Sequence, residues 1–296
     1  MTTYREITCK TACNKLNGQF YFPWDLNIYR GCEHGCKYCF AVYSHEYLGN
    51  EKFFDDVYVK TNIIERLEKQ LSSRSWKNEI VNIGGVTDSY QPAEAQFKLM
   101  PDILRIMIKY KNPCIISTKS DLILRDYNLI DELSRITYVN IVATITCKDE
   151  NLRVKIEPKA VSSEKRVNML REFSRTKAST GIHIMPIIPY ITDSYENLDW
   201  IYMNAFNINV SYVLTCILRL KGKTRNIFFE HVKSVFPHLY NSLSALYKAG
   251  GAKAEYKSGL YRIVNEIKSK YRISGNYMKS ENAKYINSSP KQLSLF

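Results

Sequence analysis

Short apolar, β-prone runs alternate with stretches of helical periodicity along most of this chain, and that alternation restricts it to an α/β architecture with a largely parallel sheet. Strands are predicted at residues 26–29, 80–83, 114–117, 139–146, 182–187 and 212–218. Between them, apolar residues recur at helical spacing over 62–71, 96–110, 126–135 and 163–176, and a shorter helix is expected at 198–206. Repeated β-loop-α units of this kind make a barrel or partial barrel, with active-site residues at the C-terminal ends of the strands.

Past residue 220 the pattern changes to two predicted helices, 225–235 and 238–248, followed by a basic stretch rich in tyrosine. The expected organisation is an N-terminal extension (1–24), a barrel (25–220), a helical basic extension (221–280) and a flexible tail (281–296). No apolar run approaches the roughly 18 residues of a membrane span, and the N-terminus lacks the apolar core of a signal peptide, so a cytoplasmic protein without a membrane partner is expected.

Eight cysteines in a cytosolic chain are read as reduced thiols or metal ligands rather than a disulfide framework. Three of them, Cys32, Cys36 and Cys39, lie in YRGCEHGCKYCF with spacing C-x3-C-x2-C, directly after the first predicted strand. Three thiolates on one short loop can hold three irons of a cubane and leave the fourth open, whereas a structural zinc site is closed by four ligands. Zinc would need His34 or His45 as its fourth ligand, and the C-x2-C pair has no matching pair at zinc-finger spacing.

C-x3-C-x2-C with an aromatic before the last cysteine resembles the signature of the radical S-adenosylmethionine (SAM) superfamily. Together with GGVTDSYQPAE, ISTKSDLILRD, IEPKAVSSEKR and IMPIIPYITD, it resembles a spore photoproduct lyase-like subgroup of that superfamily. The resemblance implies a partial (β/α)6 barrel, a [4Fe-4S] cluster on Cys32, Cys36 and Cys39, SAM on the open iron, and reductive cleavage of SAM to a 5′-deoxyadenosyl radical. It also implies ferredoxin or flavodoxin as electron donor, since a thiolate-ligated cluster reaches the low potential that reduction of a sulfonium requires.

The cofactor pocket is expected around the strand ends. Gly84 and Gly85 let the backbone approach a ligand closely, and by resemblance they meet the SAM amino group, with Thr87 and Asp88 adjoining. Lys119 is expected to pair with the SAM carboxylate, Thr144 to bond the ribose or methionine portion, and Tyr38 to lie near the adenine. Glu157 and Arg166 read either as ribose and carboxylate contacts or as an ion pair with each other.

One part of the resemblance fails. The lyase relays its radical through a cysteine just before a Thr/Ser-Asp pair and through tyrosines flanking the last cluster cysteine. Here Gly85 and Val86 precede Thr87 and Asp88, and Phe40 replaces the second tyrosine, leaving Tyr38. Simple repair of the spore photoproduct is therefore not expected. Cys147, with Cys114 and Cys216 as alternatives, is the candidate replacement hydrogen donor. Free strand cysteines are otherwise small hydrophobes, and His183 reads as a core or pocket histidine.

The net charge of +13 points to a polyanionic partner, and from 248 to 291 ten Lys or Arg face three Glu. Tyr256, Tyr261, Tyr271 and Tyr277 interleave with those cations and are expected to stack on bases. The chain ends Gln292, Leu293, Ser294, Leu295 and Phe296, which resembles the short motif that docks on the bacterial sliding clamp. Cluster, charge and tail together predict a radical SAM enzyme that repairs or modifies DNA and is recruited to the clamp near the nucleoid. The alternatives are radical SAM modification of RNA or protein, and a clamp-associated DNA-binding protein with a structural cluster.

Overall fold

The computed structural model describes residues 2–17, 22–50 and 52–276. In chain order its elements are β1 (Thr3–Ile7), β2 (Cys13–Lys15), β3 (Trp24–Leu26), β4 (Tyr29–Arg30), β5 (Asp56–Lys60), α1 (Ile63–Leu71), β6 (Val81–Ile83), α2 (Ala93–Phe97), α3 (Leu99–Tyr110) and β7 (Cys114–Thr118). These are followed by α4 (Tyr127–Ile136), β8 (Val139–Thr144), α5 (Glu150–Ile156), α6 (Ser163–Phe173), β9 (Ser179–Ile187), α7 (Tyr195–Asn207), β10 (Tyr212–Ile217), α8 (Gly222–Val235), α9 (Tyr240–Leu246) and α10 (Ala254–Tyr271).

The main sheet has the order β10-β9-β8-β7-β6-β3-β2. Its six strands from β3 to β10 run parallel, and β2 is added antiparallel at one edge. The chain therefore adopts the expected α/β fold, a (β/α)6 array that stays open between β10 and β2 among the described residues.

Both faces of the sheet are covered, which is why the strands read as unbroken apolar runs. Val81, Ile83, Cys114, Ile116, Val139, Ile141, Ile182 and Ile184 join the helices in one large core. Ile80, Ile115, Tyr138, Val142 and Tyr212 form a second, smaller core on the opposite face. Tyr212 seats its ring over Gly181, where a Cβ would lie 2.3 Å from the ring.

Several elements depart from expectation. The predicted strand at 26–29 divides: β3 enters the main sheet, whereas β4 turns out to pair with β5 in a separate β1-β5-β4 sheet that forms a shelf beneath the cysteine loop. The predicted helix 96–110 breaks at Lys98, whose φ of 50° is left-handed, so α2 and α3 are separate. The basic stretch after residue 248 contains the 18-residue helix α10. Leu260, Val264 and Ile267 make its narrow buried stripe, which Gly259 and the surrounding charges obscure in the sequence. No helix among the described residues is long and apolar enough to cross a membrane.

Candidate active site

The cysteine loop leaves β4 at the C-terminal end of the parallel strands. Its three thiols are free, with Cys36 buried and Cys32 and Cys39 half-buried. Burial drives all three thiols upward, Cys36 to about 12, and their mutual repulsion adds to the effect on Cys32 and Cys36. Three thiolates can coexist in such a recess only if a bound cationic group neutralises them. The donor set fits an iron-sulfur cubane better than zinc. His34 is committed to Asp88 through Nε2 at 2.9 Å and faces the Lys159 carbonyl through Nδ1 at 3.4 Å, so it is not free as a fourth zinc ligand, whereas His45 bonds the Asp56 carbonyl through Nε2 at 2.9 Å and keeps its Nδ1 without a partner. Among the described residues no group of three His, Cys, Asp or Glu is arranged around a single ion.

Asp88 ties the rim together. Its Oδ1 accepts from the Tyr90 amide at 2.9 Å and from Thr118 Oγ1 at 2.8 Å, while Oδ2 accepts from His34 Nε2 at 2.9 Å and the Lys119 amide at 2.8 Å. Burial alone would raise this carboxyl, but His34 and the backbone donors outweigh it and hold Asp88 down to about 2. Thr87 Oγ1 donates to the Gly31 carbonyl at 2.6 Å, and the Glu33 amide donates to Gln91 Oε1 at 2.9 Å. The loop after β6 therefore clamps the cysteine loop to the end of β7. Thr87 and Asp88, expected beside the cofactor, have their oxygens filled by protein donors.

Glu157 and Arg166 adopt the ion-pair arrangement that the sequence left open. Arg166 Nη2 lies 2.6 Å from Glu157 Oε2, with both side chains fully buried. Arg166 also donates to the carbonyls of Thr144 at 2.8 Å and Val161 at 2.7 and 2.9 Å. Glu157 Oε1 accepts from Thr146 Oγ1 at 2.9 Å and from the Tyr38 hydroxyl. Tyr38 is thereby fixed beneath the loop, packed with Cys36 and Cys147.

Lys119, Thr144 and His183 differ from these residues: their side chains have no hydrogen-bond partner among the described residues. Lys119 Nζ stands 5.9 Å from the Tyr38 ring centre, and the sulfurs of Cys36 and Cys39 feel its charge. Thr144 and His183 are register partners on β8 and β9. Thr144 lies two residues beyond Val142, on the sheet face turned away from the helices. Burial, reinforced by Lys119, lowers His183 to about 4 and keeps the imidazole neutral. An unpaired ammonium next to the thiols and two unpaired polar register partners, one at the end of β8 and one in the middle of β9, form a site with open valences for a carboxylate-bearing ligand.

Gly84 and Gly85 form the turn after β6. Gly84 has a φ of 89°, and a Cβ on Gly85 would lie 2.3 Å from Asp25 Oδ1. Asp25 is itself held by Asn82 Nδ2 at 2.8 Å and Asn27 Nδ2 at 2.5 Å, while Asn27 Oδ1 accepts the Val86 amide at 2.9 Å. Sequence reasoning missed this Asp25-Asn27-Asn82 set. Its signal was present: polar residues near the C-terminal ends of otherwise apolar strands.

The remaining cysteines are dispersed. Cys114 is fully buried in the sheet-helix core. Cys147 is buried beside Cys36 and Tyr38, donates to the Asp149 carbonyl at 3.2 Å, and is raised to about 12 chiefly by burial. Cys216 is half-buried at an irregularity in the β9–β10 register. Tyr256, Tyr261 and Tyr271, expected to stack on bases, are turned inward: their hydroxyls bond Asp193, the Ile217 amide and Asp199, and their rings pack on the core. Tyr277 and the motif Gln292 to Phe296 lie outside the described residues.

Residues 26–201 match the radical SAM superfamily. The chain is 31% identical over 281 residues to an uncharacterized protein of Mycobacterium tuberculosis, covering 93% of this chain and 83% of the relative. It is 29% identical over 267 residues to an uncharacterized protein of Methanocaldococcus jannaschii, covering 90% and 93% respectively. In fold it is similar to a spore photoproduct lyase solved with dinucleoside spore photoproduct, with a TM-score of 0.65, 11% identity, and coverage of 90% of this chain and 79% of that one. This chain belongs to the radical SAM superfamily, and its cofactors are a [4Fe-4S] cluster and SAM.

Proposed function

We propose that Cys32, Cys36 and Cys39 hold the cluster and that the chain uses it to act on DNA, repairing a lesion or modifying a base. The observation that carries this reading is the set of three free thiols, one buried and two half-buried, at the open end of the parallel strands, beside the unpartnered Lys119 ammonium. When bound, the cluster and SAM supply one-electron cleavage of a sulfonium and a radical that abstracts hydrogen.

The protein's part is positioning. Lys119 binds the SAM carboxylate as a compact cation, Thr144 offers a hydroxyl to the ribose or methionine portion, and the Gly84–Gly85 backbone accommodates the amino group. Tyr38, Glu157 and Arg166 hold the floor beneath them, while Thr87 and Asp88 fix the rim. Cys147 remains the thiol candidate for hydrogen donation because it lies in the same buried cluster as Cys36 and Tyr38.

DNA as the substrate rests on the net charge of +13 and on the terminal Gln292–Leu293–Ser294–Leu295–Phe296 motif, through which the enzyme would dock on the sliding clamp; ferredoxin or flavodoxin would deliver electrons. A base within a duplex would have to be flipped out to reach the strand ends. The test is anaerobic reconstitution followed by SAM-cleavage assays with undamaged DNA, ultraviolet-damaged DNA, RNA and no nucleic acid. Stimulation by DNA alone supports the reading, and stimulation by RNA alone would transfer the substrate to RNA.

A further inference from the structure

The tyrosines of α10 are spent on packing and hydrogen bonds, so a base-stacking surface, if the substrate is DNA, has to lie elsewhere. Exposed aromatic side chains gather in two places. One is the 3-10 helix Phe40–Leu48, which leaves the cluster loop directly after Cys39 and exposes Phe40, Tyr43 and Tyr47 by 61%, 43% and 77%. The other is α7, which exposes Tyr195 and Phe206.

In the 3-10 helix, Ala41, Val42, Ser44 and His45 are buried, so the three aromatics share the opposite face. Tyr43 and Tyr47 stand edge to face with ring centres 6.4 Å apart. Singly exposed aromatics need no explanation, but three on one short helix at the mouth of a site form a patch with a use.

Charge decides which of the two patches faces a polyanion. The 3-10 helix carries one acid, Glu46, which Lys223 approaches at 3.6 Å. Lys223 sits in the first turn of α8, which is anchored to the cluster loop by Thr224 Oγ1 donating to the Cys39 carbonyl at 3.0 Å, and the exposed Lys221 precedes it. On the cluster loop, Lys37 Nζ lies 5.9 Å from the Phe54 ring centre. By contrast, α7 carries Glu196 and Asp199 and no Lys or Arg of its own, and the lysines that reach it, Lys148 and Lys270, are taken up by those two acids at 2.7 Å each. Aromatic faces beside a row of cations are the elements from which single-strand binding surfaces are built, the bases stacking while the phosphates meet the ammonium groups.

We infer that Phe40, Tyr43 and Tyr47 form a stacking platform that seats single-stranded DNA at the mouth of the site, with Lys37, Lys221 and Lys223 along its phosphates. The inference rests on the reading that DNA is the substrate and names the surface that would receive it. It places the strand within one residue of the last cluster cysteine, so a base lifted off the platform would enter the strand-end pocket directly.

The test uses the cluster-loaded protein and a fluorescein-labelled oligothymidine, followed by anisotropy. The double variant Tyr43→Ser/Tyr47→Ser should bind about tenfold or more weakly, because stacking is lost at two exposed positions. Tyr43→Phe/Tyr47→Phe should bind as the parent does, and both variants should keep the parent's iron content and melting temperature. If the parent binds the oligonucleotide and the serine variant binds it equally well, the platform is overturned while the DNA reading stands. If the parent does not bind it, both fall. Unchanged binding together with slower flavodoxin-driven SAM cleavage would assign the ridge to a protein reductant and overturn the proposal.

Discussion

Asp88→Asn should loosen the whole rim of the site although it changes only one atom. The carboxylate receives four donors from three segments: His34 of the cysteine loop, the Tyr90 amide of its own loop, and Thr118 and the Lys119 amide at the end of β7. An asparagine must place its NH2 where one of the two oxygens stands, facing either the Tyr90 or the Lys119 N–H. One buried backbone donor is then unpaired whichever way the amide is turned.

The charge itself is a separable part of the cost. A fall from the ordinary 3.8 to about 2 corresponds to roughly 2.5 kcal/mol of stability at neutral pH. With the orphaned donor the total is about 3–5 kcal/mol, or a melting temperature lower by roughly 6–12 °C. Because the folded pKa is depressed, this stability is complete above about pH 4 and is lost as the pH falls toward about 2. The gap between parent and variant should therefore narrow over that interval. Urea unfolding of the metal-free proteins across pH, with iron content after reconstitution, measures both effects. A variant within about 1 kcal/mol of the parent at pH 7 and fully loaded with iron would refute the role given to Asp88.

His183 predicts a second pH limb of the same sense at higher pH: the unfolded chain takes up a proton near 6.5 and the folded chain only at about 4, so acidification over that window should cost on the order of 3 kcal/mol, and His183→Gln should flatten the limb in urea unfolding. Gly85→Ala should destabilise by about 1–3 kcal/mol and weaken SAM binding, since its Cβ would displace Asp25 from Asn82 and Asn27; a variant with parental melting temperature and SAM affinity would show that the turn adapts. Lys119→Met should weaken SAM binding by about 10- to 100-fold in calorimetry while leaving iron content unchanged, because an unpaired ammonium is removed and no protein partner is stranded. Truncation after Lys291 should abolish micromolar binding to purified sliding clamp, and Leu295→Ala/Phe296→Ala should mimic it; equal binding by truncated and full-length protein would remove the tail from the account.

The α/β class and the strand positions were legible because they follow from periodicity, and the cysteine loop stood out as one dense motif. Each of the six expected strands appears within a few residues of its predicted place, and the three cysteines stand where a parallel array puts chemistry. The β1-β5-β4 shelf was not legible: β1 and β5 each read as ordinary polar-apolar alternation, and only their pairing across about fifty residues makes them a sheet. The roles of Asp88, Glu157 and Arg166 were only partly legible, because a motif shows that a carboxylate or guanidinium is near a site and not whether its valences are already filled. The tyrosines of α10 illustrate the same limit. Aromatics interleaved with cations look alike whether the rings face solvent or, as for Tyr256, Tyr261 and Tyr271, the core.

The central claim is that Cys32, Cys36 and Cys39 hold a redox-active cluster that cleaves SAM. The direct measurement is 5′-deoxyadenosine formation by anaerobically reconstituted, dithionite-reduced protein, compared with Cys36→Ala. The account predicts about four irons per chain, a low-field spectral change when SAM is added to the reduced cluster, and product in the parent alone. A parent that loads the cluster yet forms no 5′-deoxyadenosine, or a triple cysteine variant that still forms it, would contradict it.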